Sequence, residues 1–192
     1  MGSEMFRVVF VCTGNRCRSP YAARLLTRLT EGLPVIVTSV GTLDSPGQPS
    51  PAELISIAAG GGLDLSTHEA VPMQLNSLAG TDLVIGFSFD HISNAVVNGG
   101  ASRKVTFLLP ELTRLLEERP QPVEHDDVVS YARALIAAAD ERRGDDPTMS
   151  DAEVADPFGG RRKAYEAMVE EVDRHVSVLA HRLFDTQSSP FP

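Results

Sequence analysis

The run Phe6–Arg7–Val8–Val9–Phe10–Val11 constrains the fold most. Five of its six residues are Phe or Val, and Thr13–Gly14–Asn15 closes it. A short apolar run without strict alternation suits a strand covered on both faces, as central strands of a parallel sheet are. Beyond it Ala22, Leu25, Leu26 and Leu29 share one helical face. Ser19 is the candidate N-cap of that helix, with Pro20 in the first helical position.

The alternation continues along the chain. Val35–Ile36–Val37 reads as a second strand, closed by Gly41, and a Pro/Gly/Ser-rich loop runs from Ser45 to Pro51. Ala52–Ala59 reads as a helix stopped by Gly60–Gly61–Gly62. That glycine triplet does not follow a strand, so it is no phosphate loop. Asp82–Phe87 and Lys104–Leu108 are the third and fourth strands, with helical patterns between strands. Strand alternating with helix argues for an α/β fold with a parallel sheet. Tyr165, Met168, Val169, Val172, Val176, Leu179 and Leu183 keep helical spacing and predict a long final helix.

One stretch interrupts this order. Residues 119–150 open on Pro120–Gln121–Pro122 and end in Gly144–Asp145–Asp146–Pro147. Val128, Ala132, Leu135, Ile136 and Ala139 between them form an amphipathic helix. Too short to bury a core alone, it reads as a helical insertion that caps a cleft, docks a partner or decorates the surface. Its Ala-rich face is a candidate homodimer contact.

A chain of 192 residues fits one domain, placed at 5–186 with a disordered tail at 187–192. Seventeen Lys+Arg against 26 Asp+Glu leave a net charge of −9. Such an anion is a poor generic binder of nucleic acid or anionic membrane. No apolar run is long enough for a transmembrane helix. Met1–Gly2–Ser3–Glu4–Met5 carries no signal-peptide pattern. The two cysteines, Cys12 and Cys17, are therefore expected reduced, in a cytoplasmic protein.

Both cysteines fall in Cys12-Thr13-Gly14-Asn15-Arg16-Cys17-Arg18-Ser19-Pro20. Between a strand and a helix, this loop curls across a helix N-terminus, where unpaired N–H groups and the macrodipole favour a tetrahedral anion. Gly14 and Asn15 are residue types that tolerate left-handed backbone. Cys12 at the bottom of an electropositive cup is a candidate nucleophile with a lowered pKa. Arg18 can fold back so that its planar fork holds two phosphoryl oxygens. Ser19 can donate to the sulfur and help it leave.

This segment closely resembles the signature of the low-molecular-weight phosphotyrosine phosphatases. The downstream half of that signature, an Asp-Pro-aromatic, is matched by Asp156–Pro157–Phe158–Gly159–Gly160, just before the last helix. Thr38-Ser39-Val40-Gly41-Thr42 and His68 match further. The resemblance implies a three-layer fold, a four-stranded parallel sheet with helices on both faces. It implies a phosphocysteine intermediate on Cys12, Asp156 as general acid then base, Pro157 restricting the acid loop and Phe158 walling the cleft. It implies that Asn15, Ser19 and His68 form a network holding the loop, with no cofactor and no metal. The partners implied are a phosphorylated protein substrate and phosphate or sulfate in the loop, on a monomer or weak homodimer. Cys17 is either a resolving thiol for an oxidised Cys12 or a small residue packed behind the loop.

Phosphotyrosine is the favoured substrate. Thr13 and the Asp-Pro-Phe-Gly-Gly ending also resemble a bacterial branch that includes protein-arginine phosphatases, which carry Thr at the position of Arg16. A cation there, if it faces the cleft, repels a phosphoarginine guanidinium and welcomes acidic flanking residues. The alternatives are a thiol-coupled arsenate reductase, disfavoured by the lack of cysteines after Cys17, and a silent phosphate-binding module. His91, His125, His175 and His181 are left as surface or core residues.

Overall fold

The computed structural model describes residues 4–118, 127–143 and 153–185. Its strands are β1 (Phe6–Cys12), β2 (Val35–Gly41), β3 (Leu83–Gly86) and β4 (Thr106–Leu108). Its helices are α1 (Arg18–Leu29), α2 (Ala52–Gly60), α3 (Phe89–Val97), α4 (Leu109–Glu117), α5 (Val128–Arg142) and α6 (Arg162–Phe184). All strand pairs are parallel, in the order β2-β1-β3-β4. β1 is thus an inner strand, as its apolar run demands.

The side chains of β1 divide between two cores. Phe6, Val8 and Phe10 pack with Leu25 and Leu26 of α1 and Val172 and Val176 of α6. Val9 and Val11 pack on the opposite face with Val84, Met73 and Ala95 of α3. Helices α1, α2, α4 and α5 gather round α6 on the first side, while α3 covers the second. Tyr21 ties α1 to α6 through a 2.7 Å bond to Asp173, whose carboxyl is pushed up by burial. The chain leaves β1 toward β2 on one side and later fills β3 on the other. In a parallel sheet such a switch opens a crevice at the strand C-termini. Cys12 ends β1 at that crevice.

β3 is one residue shorter at each end than the expected Asp82–Phe87, β2 runs on to Gly41, and two further departures have a local cause. Helix α1 starts at Arg18 with Cys17 in the cap position, and no side chain caps it. Ser19 is therefore no N-cap, because its hydroxyl is committed to the Cys loop. Lys104 lies in a 3-10 turn, Arg103–Val105, and β4 begins only at Thr106. There Thr106 Oγ1 donates 2.7 Å to Ser102 O and closes the turn.

Helix α5 lines no part of the cleft, and its apolar stripe faces inward, leaving Ala137 exposed and Ala134 and Ala138 half-buried. Val129, Ala132, Leu135, Ile136 and Ala139 are all buried in the main core. Asp127 caps its start, accepting from Val129 and Ser130 N–H at 2.9 Å each. Beyond its end Arg143 lies 3.7 Å over the Phe107 ring, pairs with Glu111 at 3.1 Å and donates to Thr106 O. The expected ends of the insertion, His125 and the expected tail lie outside the described residues. Because α5 shares the core, Leu135→Ala is expected to cost about 3 kcal/mol. Urea unfolding checks this; a loss under about 0.5 kcal/mol would mark α5 as surface decoration.

Candidate active site

Asn15 is fully buried at φ 50, the left-handed region. Such backbone costs a non-glycine residue roughly 1–2 kcal/mol. Its side chain offsets this by bonding in several directions. Nδ2 donates to Ser19 Oγ and to Ser39 Oγ, both at 2.8 Å, and Oδ1 accepts from Val71 N–H at 2.9 Å. Its carbonyl accepts from His68 Nε2 at 2.6 Å. Burial pushes the His68 pKa down, so this ring is a neutral donor. Gly14 takes no left-handed backbone, contrary to expectation; Asn15 alone makes that bend within the loop.

The loop also needs β2 to pass close beneath it. A Cβ on Gly41 would sit 3.0 Å from Asn15 N, Gly14 C and Thr13 O, which is backbone that cannot yield. Thr42 and Leu43 N–H take the Cys12 and Thr13 carbonyls at 2.9 Å each. Among the described residues, the N–H groups of Gly14, Asn15, Arg16 and Cys17 have no acceptor. Buried or half-buried donors of this kind call for an anion or water.

Cys12 is 2% exposed and its Sγ lies 3.0 Å from Ser19 Oγ. Cys17 is buried too, and burial with the nearby Cys12 pushes its thiol up to about 12. It stays protonated at neutral pH. Arg18 is 5% exposed. Its Nη2 meets Asp156 Oδ2 at 2.6 Å and Thr13 Oγ1 at 3.4 Å, and Nη1 donates to Val154 O at 3.2 Å. Its buried Nε has no partner among the described residues.

Asp156 stands at the other wall of the crevice. A turn presents it: Oδ1 accepts from Phe158 N–H at 3.2 Å, and Gly160 N–H donates to Pro157 O at 2.9 Å. Gly159 sits at φ 75 in that turn, which explains a glycine after the aromatic. Phe158 is 56% exposed, and the Arg16 guanidinium carbon lies 4.8 Å over its ring. Arg16 Nε donates to Pro49 O at 2.7 Å. Arg16 therefore lines the cleft, with no carboxylate partner among the described residues. Cys12, Arg18, Asp156, Arg16, Phe158 and Leu43 border one cleft of about 260 Å³.

Sequence reading missed His91. It is 2% exposed; Nδ1 accepts from Phe87 N–H at 3.2 Å, so the proton sits on Nε2 and is donated to Thr13 Oγ1 at 2.9 Å. The available signal was its place just past a strand ending at the crevice. Burial and Arg18 push its pKa down to about 3. From the ordinary 6.5 down to about 3, the unfolded chain binds a proton at His91 that the folded chain does not. Stability therefore falls as pH falls through that window. His91→Gln is expected to flatten the fall, read as urea midpoints at neutral pH and near the middle of that window. An unchanged pH slope would refute the assignment.

The family model of the low molecular weight phosphotyrosine protein phosphatases matches residues 7–125. The low molecular weight protein-tyrosine-phosphatase Etp of Escherichia coli K12 is 31% identical over 133 residues, 69% of this chain and 88% of that protein. The protein-arginine-phosphatase of Bacillus subtilis is 26% identical over 178 residues, 92% of this chain and 95% of that protein. The crystal structure of a low molecular weight protein tyrosine phosphatase from T. tengcongensis shares the fold. Its TM-score is 0.69 at 24% identity, covering 93% of this chain and 99% of that one. With the matched segment spanning the Cys12–Arg18 loop and the sheet beneath it, this chain belongs to the low molecular weight phosphotyrosine protein phosphatase family.

Proposed function

We propose that this chain hydrolyses protein phosphotyrosine through a phosphocysteine on Cys12. The observation that carries the reading is the meeting, in one cleft, of Cys12 on Ser19 at 3.0 Å and Arg18 on Asp156 at 2.6 Å. Phosphate enters the cup of unpaired loop N–H groups, and the Arg18 guanidinium takes two of its oxygens. That withdraws the Arg18 edge from Asp156 and frees the carboxyl to face the leaving oxygen. The Cys12 thiolate attacks phosphorus in line, the P–O bond breaks, and Asp156 gives its proton to the phenolic oxygen. Asp156 then takes a proton from water, whose oxygen attacks phosphorus. The P–S bond breaks, Ser19 steadies the returning thiolate, and inorganic phosphate leaves. Asn15, Ser39 and His68 hold the loop, Pro157 limits the backbone of the acid turn, and no step needs a metal or cofactor.

Phe158 and Leu43 give apolar walls suited to a phenyl ring. Arg16 adds a positive charge at the mouth, which repels a phosphoarginine guanidinium and attracts acidic residues flanking a phosphotyrosine. The two thiols suit the reducing cytoplasm. Hydrolysis of phosphoarginine is the second reading, favoured by the likeness to the B. subtilis arginine phosphatase over 92% of this chain.

Phosphate release is expected from a phosphotyrosine peptide in preference to its phosphoarginine counterpart. Arg16→Ala should narrow that preference several-fold, by about one screened charge interaction. A phosphoarginine preference in the unaltered protein would overturn the substrate assignment. Cys12→Ser should abolish release from either peptide; retained turnover would end the mechanism. Asp156→Ala should lower kcat/KM about 100-fold on phenyl phosphate and much less on p-nitrophenyl phosphate, because in P–O cleavage only the poor leaving group needs the proton. Equal losses on the two esters would remove Asp156 from the acid role.

A further inference from the structure

The phosphatase reading requires Asp156 to be held against the cleft, and for that reaction the geometry points to Glu153 as a positioning residue, latching the acid loop to the first turn of α3. Helix α3 opens at Phe89, and its cap residue Ser88 supplies no side-chain bond. The orphan N–H of Phe89 is taken instead by Glu153 Oε1 at 2.7 Å, from 64 residues away in the chain. A carboxylate at a helix N-terminus also meets the positive end of the macrodipole.

The next residue makes the latch directional. Val154 is 1% exposed, donates its N–H to Phe87 O at 2.9 Å and offers its carbonyl to Arg18 Nη1 at 3.2 Å. Val154 alone would be a pivot. Glu153 adds a second attachment one residue earlier, on the same turn, and fixes the direction in which the chain runs on to Asp156. That turn, Phe87 to His91, also holds the Cys loop, through His91 Nε2 on Thr13 Oγ1 at 2.9 Å. One turn of helix therefore carries both the acid-bearing segment and the loop of the nucleophile. Glu153 is not among the residues that line the cleft, and it acts through the position of Asp156.

Kinetics on two aryl phosphates test this. Glu153→Ala removes the acceptor, while Glu153→Gln keeps an oxygen in reach of the Phe89 N–H. For Glu153→Ala, kcat/KM on phenyl phosphate is expected to fall about fivefold, the size of a lost helix cap. Its kcat/KM on p-nitrophenyl phosphate and its inhibition by inorganic phosphate should stay within about twofold, because P–O cleavage of the activated ester and phosphate binding need no acid, and kcat/KM excludes the later hydrolysis in which Asp156 is the base. Glu153→Gln should restore most of the phenyl phosphate rate. Glu153→Asp, one methylene short of the amide, should behave like the alanine variant and replaces it if that variant fails to fold. Equal loss on both esters, no loss on either, or no rescue by Gln would overturn the latch. Those results presuppose Cys12-dependent turnover in the unaltered protein; its absence would instead overturn the phosphatase reading, and the latch's role with it.

Discussion

A single buried amide holds the functional end of this fold together. Asn15 bends the chain into left-handed backbone and then binds Ser19 on α1, Ser39 on β2 and the Val71 N–H, while His68 secures its carbonyl. A buried polar network of this kind is costly when broken, since each lost partner leaves a desolvated group. It also specifies one loop shape. With Asn15 bonded inward and the Cys12 and Thr13 carbonyls taken by residues 42–43, the remaining loop N–H groups are left for a ligand. The cup is thus a by-product of where its own hydrogen bonds go. Gly41 permits it, since any side chain there would press on the loop backbone at 3.0 Å.

Arg18 couples the two halves of the site. It is nearly buried, and burying a guanidinium is expensive unless its hydrogens are used. Val154, Asp156 and Thr13 use part of that capacity, and Nε is left over. A phosphoryl group would complete it. The same group would compete for the edge that Asp156 now holds. On the proposed mechanism, binding and presentation of the acid would in this way be linked through one side chain.

Much of this was legible in the sequence because it is local. The apolar run before Cys12 announced an inner strand, and the spacing from Tyr165 to Leu183 announced α6. The Cys-x5-Arg-Ser-Pro segment is itself a continuous strand–loop–helix, so its chemistry could be read without a fold. The misreadings concern competition for hydrogen bonds. Ser19 has the type and position of a cap, but a buried Asn15 and a thiol claim its hydroxyl more strongly than the helix end does. Gly14 and Asn15 were both of a type to make the bend, and the one with side-chain partners to offset the strain makes it. His91, for which only a place just past β3 gave a hint, and Glu153 escaped for another reason. Each acts on a residue far away in the chain, and only the sheet order β2-β1-β3-β4 brings the ends of β1 and β3 side by side. Local patterns carry no information on such pairs.

Helix α5 shows how an added segment can be absorbed without becoming a lid. Its apolar face lies in the same core as α4 and α6, and Arg143 pins its far end to the Phe107 ring, Glu111 and the Thr106 carbonyl. Opening such a helix would expose several fully buried side chains, at roughly 1.5–3 kcal/mol each. Motions near the cleft are drawn instead from segments with few buried contacts. Around this site those are the exposed side chains of Phe158 and Leu43 and the half of Asp156 that faces solvent. On the proposed reading, discrimination between phosphorylated side chains would fall to the rim, to Arg16 stacked on Phe158, while the inserted helix packs into the scaffold that the rim stands on.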